Sequence, residues 1–90
     1  MNNPFQNKEL KFPVDWRYKI IVDTDKADEA ALALAEIFKN NGYNVKPAKG
    51  SLSKNSKYIT LKAMATFDDR ESMEKLSKEL SKAPYVRFML

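Results

Sequence analysis

Apolar and polar residues alternate from Trp16 to Val22, with Trp16, Tyr18, Ile20 and Val22 on one side and Arg17, Lys19 and Ile21 on the other. A period of two is that of a half-buried strand. Asp23-Thr24-Asp25 reads as the start of a helix, with Asp25 as the cap and Asp28 in the first turn, where carboxylates suit the positive end of the helix dipole. Over 26–41 the chain is rich in Ala and Leu, and Ala27, Ala30, Ala31, Leu34, Ile37 and Phe38 recur at steps of three and four, the stripe of a packed helix. Gly42 is placed to close it in a left-handed conformation, returning Tyr43 towards Phe38. A weaker strand is expected over 43–49, at a sheet edge because Pro47 cannot donate to a ladder. Residues 50–57 have the composition of a mobile turn. Alternation returns from Tyr58 to Phe67, with Ile59, Leu61, Ala63, Ala65 and Phe67 facing inward and Thr60, Lys62, Met64 and Thr66 outward. Asp68 with Glu71 resembles a capping box, and Met73, Leu76, Leu80 and Ala83 carry the apolar face of a second helix that Pro84 stops. A last strand over 85–90 would put Val86, Phe88 and Leu90 on one face and Tyr85, Arg87 and Met89 on the other.

The resulting order, β-α-β-β-α-β with right-handed crossovers, predicts an α+β, ferredoxin-like sandwich: a four-stranded antiparallel sheet, order 4-1-3-2, with two helices on one face. Ninety residues have room for one such domain, over 12–90, behind a flexible tail over 1–11. At 43% hydrophobic residues the chain is that of a folded protein. It has no Cys, which fits a reducing, cytoplasmic setting, and no apolar run of the roughly 18 residues a membrane-spanning helix needs. The N-terminus has neither the basic start nor the apolar stretch of a signal peptide.

The net charge is +4, and its distribution matters more than its sum. No acidic residue falls between Glu36 and Asp68, whereas Lys39, Lys46, Lys49, Lys54, Lys57 and Lys62 do. Such a stretch either attracts an anion or forms a solvated surface.

Phe12-Pro13, Trp16-Arg-Tyr-Lys-Ile-Ile21, Ser53-Lys-Asn-Ser-Lys-Tyr58 and the closing Val86-Arg-Phe-Met-Leu90 together resemble the YbeD-like family of small bacterial proteins, over nearly the whole domain. The departure is at the turn, where Asn55-Ser56 stand about where that family has Gly. The resemblance implies a βαββαβ fold similar to amino-acid-sensing ACT regulatory domains, in a cytosolic bacterial protein, and implies no particular activity.

The residues themselves exclude several trades of this fold. Iron–sulfur carriers and heavy-metal chaperones need cysteines, and Cys and His are both absent. Phosphate hydrolysis needs an anion-binding loop after the first strand, and Asp23-Thr24-Asp25 would repel the anion there. No enzyme activity and no cofactor are therefore expected. Amino-acid sensing through that loop is weakened as well, because no glycine allows a close approach. The expected function is a protein-interaction or regulatory module acting through the open sheet face, on Arg17, Lys19, Ile21, Lys62, Met64, Arg87 and Met89, towards a protein partner or a second copy. The alternative is RNA or anion binding by the basic open face and the lysine-rich segment 46–62, with Lys46, Lys49, Lys54, Lys57 and Tyr58 as contacts.

Overall fold

The computed structural model describes residues 11–90. Two ten-residue strands, β1 (Val14–Asp23) and β3 (Tyr58–Phe67), form the centre of the sheet. They pair antiparallel without interruption from Val14 opposite Phe67 to Asp23 opposite Tyr58. The alternation in both strands is strict, so this register puts Tyr18, Ile20 and Val22 beside Ala63, Leu61 and Ile59 on one buried face. The sheet order is β2-β3-β1-β4, which is the expected 4-1-3-2 seen from the other edge.

Both helices, α1 (Ala27–Asn40) and α2 (Arg70–Ser81), cover that buried face. Ala27, Ala30, Leu34 and Phe38 of α1 and Met73, Leu76 and Leu80 of α2 complete the core. Tyr18 is its centre: its ring meets Phe38 and Phe67 edge-on at 6.0 and 6.5 Å. A buried phenol needs a partner, and the Tyr18 hydroxyl lies 2.7 Å from Ser77 Oγ on α2. Burial pushes the Tyr18 pKa above its ordinary value, against the opposing effect of that hydrogen bond. The helices are tied at one end by Asn41, whose Nδ2 donates to Ile37 O at 2.8 Å and to Glu79 Oε1 at 3.0 Å. Phe12 packs against the core and is joined to Pro13 by a cis bond. Apart from Lys11, the expected tail lies outside the described residues.

Several boundaries differ from expectation. Asp25 does not cap α1; a single 3-10 turn over Thr24–Lys26 comes first, and the α-helix starts at Ala27 with no side-chain cap. The second helix is capped by Asp69 rather than Asp68: its carboxylate accepts from Ser72 N at 2.7 Å, which holds its pKa below the usual carboxylate range. Gly42 closes α1 at φ 87° and Tyr43 returns to Phe38, its N–H donating to Phe38 O at 2.9 Å, while its ring meets Phe67 at 5.2 Å. Residues 43–47 form no strand; β2 runs over Ala48–Leu52, so it shares only Ala48 and Lys49 with the expected strand and extends three residues into the segment expected to be a loop. Pro47 lies just outside the ladder, and β2, though poor in strand-forming residues, is held by pairing with β3.

The remaining turn, 53–57, is built from hydrogen bonds rather than left open. Ser53 N donates to Tyr58 O at 2.8 Å, Ser53 Oγ accepts from Tyr58 N at 3.0 Å, and Asn55 Oδ1 accepts from Ser53 Oγ and Lys57 N. Ser56 takes a left-handed φ of 61°, a conformation that favours Gly.

Candidate functional site

The face of the sheet opposite the helices has no covering layer among the described residues. The odd positions of β1 and the even positions of β3 point there, so Arg17 stands opposite Met64, Lys19 opposite Lys62 and Ile21 opposite Thr60. Five of the expected interaction residues, Arg17, Lys19, Ile21, Lys62 and Met64, are thus brought together. The other two, Arg87 and Met89, are not placed as expected.

The reason is a β-bulge. In the short edge strand β4 (Val86–Met89), Val86 pairs with Val22, but Phe88 pairs with Ile21 and Met89 with Ile20. One additional residue, Arg87, is accommodated between the two registers, and beyond it each side chain changes face. Met89 therefore packs against the core beside Ile20. Phe88 turns out to the open face and is 53% exposed, and Leu90, whose N–H donates to Lys19 O at 2.8 Å, is exposed beside it. The simple alternation read from the sequence assigned these residues the other way round.

Ile21, Phe88 and Leu90 line an apolar hollow of about 220 Å³ with Leu52, Thr60 and Tyr58. Leu52, Phe88 and Leu90 were not among the expected site residues. Their one signal in the sequence was that each is a large apolar residue in a terminal or turn-flanked position.

Further along the same face Arg17, Lys19 and Lys62 line a second hollow of about 340 Å³ with Met64. None of the three forms an ion pair with a described residue. The acids on this face are engaged elsewhere: Asp15 accepts from Thr66 Oγ1 at 2.7 Å, and Asp23 holds Arg87. The stem of Lys62 lies down over β2, where Gly50 leaves space: a Cβ at Gly50 would come within 3.1 Å of Lys62 Cε and 3.2 Å of Thr60 O.

Arg87 is committed to the end of the sheet. Its Nε donates to Asp23 Oδ1 at 2.9 Å and its Nη2 to Oδ2 at 3.2 Å, while the guanidinium lies 5.9 Å from the centre of the Tyr58 ring. The hydrogen bond and charge of Asp23 push the Arg87 pKa further up. These groups, with Thr24, Asp25, Ser56 and Lys57, line a hollow of about 470 Å³ at the loop after β1. Its strongest cation and anion satisfy each other, which leaves little charge to hold a phosphate. Among the described residues, no group of three or more acidic side chains is placed to hold a metal ion.

The lysine-rich segment does not converge. Lys49 turns to the helical side and pairs with Asp28 at 2.7 Å. Lys46 lines a separate hollow with Leu32 and Tyr43, Lys57 belongs to the hollow after β1, and Lys54 sits on the turn. Tyr58, the expected stacking ring, has Arg87 over it.

A four-stranded antiparallel sheet with two helices on one face defines an α+β domain of the ferredoxin-like kind. The chain belongs to a family of proteins of unknown function, DUF493, which matches residues 7–90. Its fold is similar to the solution structure of the protein HP0495 from Helicobacter pylori, with a TM-score of 0.77 at 18% identity, covering 100% of this chain and 94% of that one. A second solution structure of HP0495, a hypothetical protein by its description, gives a TM-score of 0.62 at 18% identity, covering 94% of each chain. No curated protein matches the chain. No described helix is long and apolar enough to cross a membrane.

Proposed function

We propose that this domain is a non-enzymatic, cytoplasmic protein-interaction module of regulatory type that docks a protein partner on its open sheet face. The observation that supports this most is the hollow of Ile21, Leu52, Phe88 and Leu90 beside three cations without ion-pair partners among the described residues. Exposed apolar area next to polar groups is the usual composition of a contact surface, with the apolar centre supplying affinity and the charges orientation. The sheet edges are poor alternatives: Pro47 precedes β2 and the bulge breaks β4, two features that discourage strand addition.

A photo-crosslinking residue at position 60, in the middle of the face, tests the proposal in living cells against the same group at position 75 on α2. Adducts are expected from position 60, to be competed by excess unlabelled protein but not by its Phe88→Ser variant. Adducts from position 75 alone, or equal competition by both chains, would refute docking on this face.

The second reading, RNA or anion binding, is favoured by Arg17, Lys19 and Lys62 and no longer gains from the 46–62 segment as a whole. It requires that a single-stranded polyribonucleotide bind the face with the steep salt dependence of phosphate contacts.

A further inference from the structure

We infer that the partner segment taken by the open face is acidic and apolar in one pattern: an aliphatic side chain fills the hollow at Ile21 and Phe88, and carboxylates sit over Lys19, Lys62 and Arg17. This rests on the docking function proposed above and adds the chemistry of the partner.

Lys19 and Lys62 stand directly opposite each other on neighbouring antiparallel strands, an arrangement in which like charges repel. Arg17 follows two residues along β1 on the same face, and neither carboxylate of the face, Asp15 on Thr66 or Asp23 on Arg87, is ion-paired with these three cations. A carboxylate bound over this pair offsets the repulsion and can accept charge-assisted hydrogen bonds from the lysine side chains. A second copy of this chain offers the wrong chemistry. Face to face, two copies would set six of these cations against two Asp15 carboxylates, with Asp23 already held by Arg87. A nucleic acid would satisfy the cations, but the adjoining hollow, although Ser51, Ser53, Tyr58 and Thr60 reach it, exposes mostly apolar surface, which suits an aliphatic side chain better than the polar edge of a base.

The spacing is specific as well. Ile21 and Arg17 each lie two residues from Lys19 along β1, about 7 Å in either direction. An extended segment presents its same-side residues at that interval, so the pattern is apolar–x–acidic–x–acidic. Gly50 takes part as a positioning residue: the space above it is where the Lys62 stem rests.

The test is an NMR titration of the isotope-labelled protein with a Gly/Ser-flanked peptide carrying Leu-Ser-Glu-Ser-Glu. Its Leu-Ser-Gln-Ser-Gln counterpart and a short poly-uridine serve as the other arms. Shifts are expected at Lys19, Ile21, Lys62 and Phe88, with the glutamine peptide binding about fivefold more weakly or worse. Raising NaCl from about 50 to about 200 mM should reduce that difference. Lys62→Glu and Phe88→Ser should each weaken binding while unfolding at nearly the parental temperature. Gly50→Ala, which changes no charge, should weaken the glutamate peptide and leave the glutamine peptide as it was. Equal binding of the two peptides, tighter binding of poly-uridine, or no shifts on this face with any probe would overturn the inference. If the crosslinks at position 60 still depend on Phe88 while glutamate and glutamine peptides bind alike, docking stands and the acidic partner falls.

Discussion

The bulge in β4 makes opposite predictions for two adjacent residues, Phe88 and Met89. Met89 pairs with Ile20 and packs on the core, whereas Phe88 pairs with Ile21 and projects from the far side of the sheet. Replacing a fully buried Met by Ala costs about 2–5 kcal/mol. Met89 is only partly buried, and Thr brings a branched Cβ suited to a strand, so Met89→Thr should cost about 1–2 kcal/mol. For a domain of this size that lowers Tm by about 4–15 °C. Phe88→Thr removes an exposed ring and leaves the core untouched, and its effect should stay within about 0.5 kcal/mol. Thermal unfolding followed by circular dichroism, with urea titration as a second measure, resolves differences of this size. Without the bulge, strict alternation over 85–90 reverses the order, making Phe88→Thr the damaging change and Met89→Thr the harmless one. Either that reversal or equal shifts for the two variants would refute the register described above.

Leu76 is wholly buried on α2, so Leu76→Ala should cost about 2–5 kcal/mol, and a melting temperature within a degree or so of the parent would contradict the packing of that helix. Ser56 holds a left-handed φ in a turn whose hydrogen bonds run through its own N–H and the side chains of Ser53 and Asn55; Ser56→Gly should therefore raise stability by about 0.5–1 kcal/mol, seen as a higher urea midpoint at unchanged slope. Tyr18→Phe removes the hydrogen bond to Ser77 and should cost about 1 kcal/mol at neutral pH. Burial raises the Tyr18 pKa, so the fold favours the neutral phenol: the stability it contributes is complete below the ordinary tyrosine pKa of about 10 and is lost as pH rises through the higher folded value. Urea unfolding between about pH 8 and pH 11 should therefore show a steeper alkaline loss for the parent than for Tyr18→Phe, and parallel curves would contradict it.

Much of this protein is legible in local patterns. The period-two runs in β1 and β3 and the three-and-four spacing in both helices identify which residues enter the core, because burying one face of an element depends on its own periodicity. Their order then restricts the topology to a sheet with Tyr58–Phe67 and Trp16–Val22 at its centre, and Pro47 excludes the region of β2 from anywhere but an edge. The same alternation placed Arg17, Lys19, Ile21, Lys62 and Met64 on one face, since one strict register carries all five.

What the local patterns lack is information about pairing. The limits of β2 follow from where β3 offers a free edge, so Ala48-Lys-Gly-Ser-Leu52 becomes a strand while the more strand-like residues before Pro47 do not. The lysines of the basic segment look alike in sequence, and only the packing of α1 against the sheet gives Lys49 an acid to pair with and leaves Lys62 without one among the described residues. The apolar half of the candidate site depends most completely on tertiary structure. Val86-Arg-Phe-Met-Leu90 ends in three apolar residues, so its pattern does not say which of them face the core; the bidentate hold of Arg87 on Asp23 and the seating of Val86 against Val22 accompany an additional residue in the edge strand. One residue out of register exchanges the two faces of everything that follows, which is why the chain by itself determines the sheet and its cations, whereas long-range pairing alone decides that Phe88 and Leu90 stand beside them.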